Sequence, residues 1–307
     1  MSSSLASARS APPRHAPRRR ALAAIGALAL LHAATHGIAH AEDADPTLSY
    51  VRLTSGYWQV WRYDPIRRTH DQLTSDPVDK RYPSWKGAGA LLARSNNDRI
   101  YEVDVARRRA LPVLPDAWPA TDPVASPDGS RIALARLRTE VSDVSSIWVM
   151  TPDGGERRSL HVGPGLRMHV AWSPDGKRLA YARTHAADRA DIEVIGADGT
   201  GEGAVVRDAS RNLFPAWSPD GRSLAFASDR AGSFDIWVLD LASKRARRLT
   251  DAPSLDVRPT WSPDGAEIAF ATSRRGRLEI FTVSAAGGPA SPLFEVPEPA
   301  SDPAWRY

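Results

Sequence analysis

Trp217-Ser218-Pro219-Asp220-Gly221 runs straight into an apolar stretch, Ser223-Leu224-Ala225-Phe226-Ala227. The first five residues are turn chemistry. Pro sets φ at the second turn position, Asp tolerates the third, and Gly accepts a positive φ where a bulge follows. The same pentapeptide recurs as Trp172-Ser173-Pro174-Asp175-Gly176 and Trp261-Ser262-Pro263-Asp264-Gly265. Weaker copies are Ala125-Ser126-Pro127-Asp128-Gly129, Trp85-Lys86-Gly87 and an unfinished Pro303-Ala304-Trp305. Positions 85, 125, 172, 217, 261 and 305 lie 40, 47, 45, 44 and 44 residues apart, which is a structural repeat.

Each unit reads as four short strands. One ends at the Trp, as in Phe214-Pro215-Ala216-Trp217, and the apolar stretch is the second. A polar loop, Ser228 to Ser233, leads to Asp235-Ile236-Trp237-Val238-Leu239, and the fourth strand closes at Arg248-Leu249-Thr250. Four strands in a period near 44 residues predict an all-β chain folded as a six-bladed β-propeller. The expected single propeller domain is residues 42–307. Its blades fall at approximately 47–75 plus 302–307, 80–115, 121–162, 168–207, 213–251 and 257–295. The first blade lacks an inner strand and the C-terminus supplies one. The two should pair and close the ring, removing free edges.

Residues 1–41 read differently. Arg14 to Arg20 form a basic segment, Ala21–Leu31 is an apolar run of 11 residues, and Ala39-His40-Ala41 gives a small-x-small cleavage site. A membrane span needs about 20 apolar residues, so the expectation is a cleavable signal peptide rather than an anchor, and no stable membrane insertion. The leader carries five arginines and no acid. Without it, 35 basic residues face 36 acidic ones, a net charge of −1, which removes the main support for nucleic-acid binding. Cysteine is absent, so disulfides, thiolate metal sites and thiol nucleophiles are excluded.

Trp-Ser-Pro-Asp-Gly, the Ser228-Asp229-Arg230 loop, Asp235-Ile236-Trp237 and Leu249-Thr250 together resemble the propeller repeat of TolB-like proteins. The resemblance covers residues 47–307. It implies a periplasmic protein-interaction scaffold at the bacterial cell envelope, with an envelope protein or lipoprotein as partner; extracellular release is the other destination. TolB itself binds the peptidoglycan-associated lipoprotein through its propeller and carries an additional N-terminal α/β domain. That domain is expected to be missing here, because the repeat begins within about ten residues of the cleavage site. A monomer is expected.

Catalytic signatures are absent from the chain beyond residue 41: there is no Gly-x-Ser-x-Gly, no His-Glu-x-x-His, no phosphate loop and no calcium loop. No cofactor is called for. Trp85, Trp172, Trp217, Trp261 and Trp305 share one repeat position, and Trp148 and Trp237 another, which reads as inter-blade packing. Trp58, Trp61 and Trp118 lie outside both registers, and Trp118 is the expected exposed ring. His161 and His169 bracket one linker but lack the third ligand of a metal site, so no metal is assigned.

If side chains alternate along the inner strands, the residues three and five places before the repeat Trp face one side. Those are Lys80 and Tyr82, Ala120 and Asp122, Arg167 and His169, Asn212 and Phe214, Asp256 and Arg258, Ala300 and Asp302. The polar and aromatic members vary from blade to blade, where packing positions repeat one residue type. They are the candidate binding surface at the channel rim, suited to a peptide or protein segment. The alternative is a propeller enzyme of the polysaccharide lyase or hydrolase type, with His169 and Asp122 or Asp302 holding a metal in the channel.

Overall fold

The computed structural model describes residues 46–114, 119–137 and 144–306. The expected signal peptide and Trp118 lie outside them. Among the described residues there are 24 strands and no helix, arranged as six four-stranded antiparallel sheets. Five sheets follow chain order. Their inner strands are Lys80–Lys86, Ala120–Ala125, Leu166–Trp172, Asn212–Trp217 and Asp256–Trp261. The sixth is closed by Ala300–Trp305, which pairs with Leu48–Thr54, placing Trp305 opposite Leu48 and Ala300 opposite Arg52. The ring is therefore fastened between the two ends of the chain, as the strand count requires.

The Ser-Pro-Asp-Gly turn locks itself. In 217–223 the Ser218 hydroxyl donates to Asp220 at 2.6 Å and accepts from the Ser223 amide at 2.9 Å. The Arg222 amide donates to the same Asp220 carboxylate at 3.0 Å, and Gly221 sits at φ +69°. Ser126, Ser173 and Ser262 repeat the arrangement. In the 126–131 copy, the Ser126 hydroxyl and the Ser130 amide pull the Asp128 carboxyl down to about 2.

Four of the five repeat tryptophans stitch their blade to the preceding one; the Trp305 indole nitrogen is buried without such an acceptor among the described residues. The indole nitrogens of Trp85, Trp172, Trp217 and Trp261 donate to the carbonyls of Ala304, Val124, Ala171 and Ala216 at 3.0 to 3.3 Å. These acceptors all lie on the neighbouring inner strand, one residue before its own Trp position. Buried clusters fill the spaces between sheets, for example Tyr181, Leu179 and Ile195 against Ala133, Ile147 and Val149. Aromatic burial of this kind contributes both area and direction.

Candidate functional site

The inner strands are not regular. In five of the six, a proline stands two residues before the repeat position: Pro83, Pro123, Pro215, Pro259 and Pro303, with Val170 in the remaining blade. A proline has no N–H for the ladder and disfavours a right-handed helical conformation in the residue before it. An inner strand is the edge of its sheet, where this loss is tolerated. The pairing register slips there, between Leu213 and Ala216 and between Val257 and Thr260, for instance. The residue preceding the proline, or Val170, turns left-handed. Tyr82, Asp122, His169, Phe214, Arg258 and Asp302 all have φ between 50° and 58°. None is β-branched, the residue class that this conformation strains most.

This bulge divides the candidate residues. Those five places before the Trp are fully buried and spent on the fold. Lys80 donates to Asp76 at 2.6 Å and to the Val78 carbonyl at 3.1 Å. Arg167 reaches the Pro164 and Gly165 carbonyls. The Asn212 amide donates to the Ala190 carbonyl and to Asp208, and accepts from Arg230 at 2.8 Å. Asp256 accepts from Thr272 at 2.6 Å and Arg274 at 2.7 Å. Arg230 belongs to the Ser-Asp-Arg loop of the repeat and Arg274 stands in its sibling loop, so that loop anchors the start of the inner strand.

The residues at the bulge converge. The Arg258 guanidinium lies 4.4 Å from the centre of the Tyr82 ring and 4.6 Å from that of Phe214, and its Nε is 3.0 Å from Asp302. Tyr82 and Arg258 come from blades that are not neighbours, so this contact crosses the ring. Phe214 in turn meets the His169 ring at 3.7 Å between centroids. Two carboxylates satisfy bulge amides of the following blade: Asp122 accepts from the His169 N–H at 2.7 Å and Asp302 from the Tyr82 N–H at 3.2 Å. The six positions thus form one polar and aromatic constriction.

Arg81 belongs to this site although the alternation argument omits it. Its Nε donates to Asp302 at 2.7 Å and its Nη2 at 3.2 Å, and the guanidinium lies 4.6 Å from the Trp58 ring centre. The signal that could have found it is the proline two residues on, since a bulge places neighbours that regular alternation separates. Burial alone would raise the Asp302 carboxyl, yet Arg258 and Arg81 bring it down to about 2. Asp302 is thus a carboxylate held between two guanidinium groups.

Within this site, His169 is the group that titrates in a useful range. Burial is the main force lowering it, to about 4, and Arg258 adds to the effect while Asp122 opposes it. Its Nδ1 is buried without a hydrogen-bond partner among the described residues. Because the folded state disfavours the imidazolium, the unfolded chain binds more protons below the ordinary value of 6.5. The His169 contribution to stability should be complete at neutral pH and be lost between pH 6.5 and about 4, by up to about 3 kcal/mol. Asp302, whose own loss lies lower, near 2, does not share that window. Urea midpoints at the two ends of the window test this: His169→Phe should lose less on acidification, and an unchanged loss assigns it elsewhere.

Both acids considered as metal ligands beside His169 are committed, Asp122 to an amide and Asp302 to two arginines. Among the described residues no group of three or more His, Cys, Asp or Glu side chains could hold a metal ion. Among them, too, no helix is long and apolar enough to cross a membrane.

The TolB beta propeller domain family matches residues 138–305. No curated protein matches the sequence. Solved structures share the fold. TolB from Acinetobacter baumannii superposes with a TM-score of 0.73 at 18% identity, covering 86% of this chain and 67% of that one. A protein assigned as TolB from Agrobacterium tumefaciens gives 0.68 at 22% identity, with 83% and 90% covered. An oligogalacturonate lyase in complex with manganese gives 0.57 at 18% identity, with 80% and 73% covered.

Proposed function

Because the chain belongs to the TolB beta propeller domain family, we propose that it is an exported, non-enzymatic propeller that captures a protein partner of the bacterial cell envelope. The observation carrying this reading is the aromatic and arginine cluster at the inner-strand bulges. Arg258 is pre-ordered between Tyr82, Phe214 and Asp302, and Arg81 lies over Trp58 beside them. Side chains of these types, held rigid before a partner arrives, carry most of the energy at protein interfaces. Export rests on the basic, apolar and small-residue order of residues 1–41.

The buried candidates Lys80, Arg167, Asn212 and Asp256 act in this reading by holding the linkers beneath the surface. A lyase-type enzyme in the channel has less behind it, since the acids it would use already have partners.

The test is capture of envelope proteins by the tagged protein, with Tyr82→Ala and Trp58→Ala alongside and thermal melting as the folding control. Both side chains are partly exposed. Either change should weaken retention of the partner about tenfold or more, the loss expected of a central aromatic contact. Equal retention by wild type and both variants would remove the site from this surface, and an empty wild-type capture would count against the scaffold itself.

A further inference from the structure

Within each blade the turn joining the third and fourth strands lies at the end where the inner strand finishes, because successive strands are antiparallel. These outer turns are not alike. In the blade built on Leu48–Thr54 the turn carries Arg67 and Arg68, and in the next blade it carries Arg107, Arg108 and Arg109. All five are exposed. The equivalent turn of the blade built on Leu166–Trp172 has no arginine and holds Asp198 and Glu202 instead. Two adjacent blades thus set basic turns side by side; a third basic turn, with Lys244 and Arg245, stands apart on the blade built on Asn212–Trp217.

The second turn touches the neighbouring blade. Arg108 Nη2 lies 3.3 Å from Asp71, on the fourth strand of the neighbouring blade. Asp64 and Asp104 each sit within their own turn, accepting backbone amides as well as one arginine. They offset part of the charge but leave the arginine excess facing solvent.

A second observation coincides with the charge. Among the described residues four large hydrophobic side chains are exposed, and two of them flank these arginines. Ile66, which precedes Arg67, is 76% exposed, and Leu111 is 49% exposed. Ala110 packs into the core between Leu91, Val103 and their neighbours, so strand alternation turns Arg109 and Leu111 outward together. Aliphatic tips among arginines suit a layer that is anionic at its surface and apolar just beneath it.

We propose that this end of the two blades is a peripheral docking site for an anionic phospholipid bilayer. The arginines meet the headgroups, while Ile66 and Leu111 reach the acyl boundary without spanning it. The surface faces away from the end at which the inner strands begin, so the propeller can rest on a membrane while its channel stays open to a partner.

The experiment is flotation of the full-length protein with vesicles of equal parts phosphatidylglycerol and phosphatidylcholine, and with phosphatidylcholine alone. Every variant keeps the same leader, so differences between variants report on the blades. Arg68→Glu with Arg109→Glu should lower binding to the anionic vesicles about tenfold or more, reflecting the contribution of each arginine near such a surface. Ile66→Ser with Leu111→Ser should lower it severalfold. Lys244→Glu with Arg245→Glu, an equally basic turn on another blade, should change it little, and melting temperatures identify any variant that fails to fold. The proposal is overturned by three outcomes: wild type that does not bind anionic vesicles, equal loss from the Lys244 and Arg245 pair, or binding of an acidic polypeptide or nucleic acid through these arginines with none to vesicles.

Discussion

A chain ended at residue 299 is expected to lose cooperative folding. The removed segment includes Ala300–Trp305, of which Ala300, Ser301, Asp302 and Trp305 are each at most 6% exposed. Trp305 packs with Leu48, Tyr50, Tyr63 and Ile280, and truncating such a buried aromatic costs about 3–5 kcal/mol. The cut also deprives the Trp85 indole of the Ala304 carbonyl and leaves Leu48–Thr54 as an open sheet edge. Added to the loss of Asp302, this is on the order of the whole stability of a domain, roughly 5–15 kcal/mol. Size-exclusion chromatography and urea unfolding should show aggregation and no sharp transition. A cooperative transition near the wild-type midpoint would mean that the terminal strand does not hold the ring.

The second large effect is at Asp302 itself. Asp302→Ala should cost about 3–5 kcal/mol, because it leaves the buried Arg258 without its carboxylate. Arg81 loses both of its bonds to Asp302, and the Tyr82 amide loses its acceptor. Replacing the pair together, Asp302→Leu with Arg258→Met, should recover much of that loss, since removing both charges leaves neither unpaired. Urea midpoints of the two single variants and the double give the coupling directly. Strict additivity would show that the two side chains do not act as a unit.

The repeat was legible because its chemistry is local. Ser218, Pro219, Asp220 and Gly221 close their turn within five residues, and the spacing of the tryptophans counts the blades. The inner-strand bulge was also written in the chain, in Pro83, Pro123, Pro215, Pro259 and Pro303, but regular alternation passes over it. That is why Lys80, Arg167, Asn212 and Asp256 stood beside Tyr82 and Arg258 as equals, although burial separates them.

The strand number and the turn type follow from residues near one another in sequence, and the closure of the ring from the count of strands along the chain. The partners of Asp302 do not. Arg81 is 221 residues away, and it reaches the carboxylate only because the last strand returns to the first blade. The crossing of Arg258 to Tyr82 likewise depends on left-handed residues aimed inward from separate blades. Tertiary structure alone decided which charges meet, because Coulomb and stacking energies depend on distances that ring closure sets.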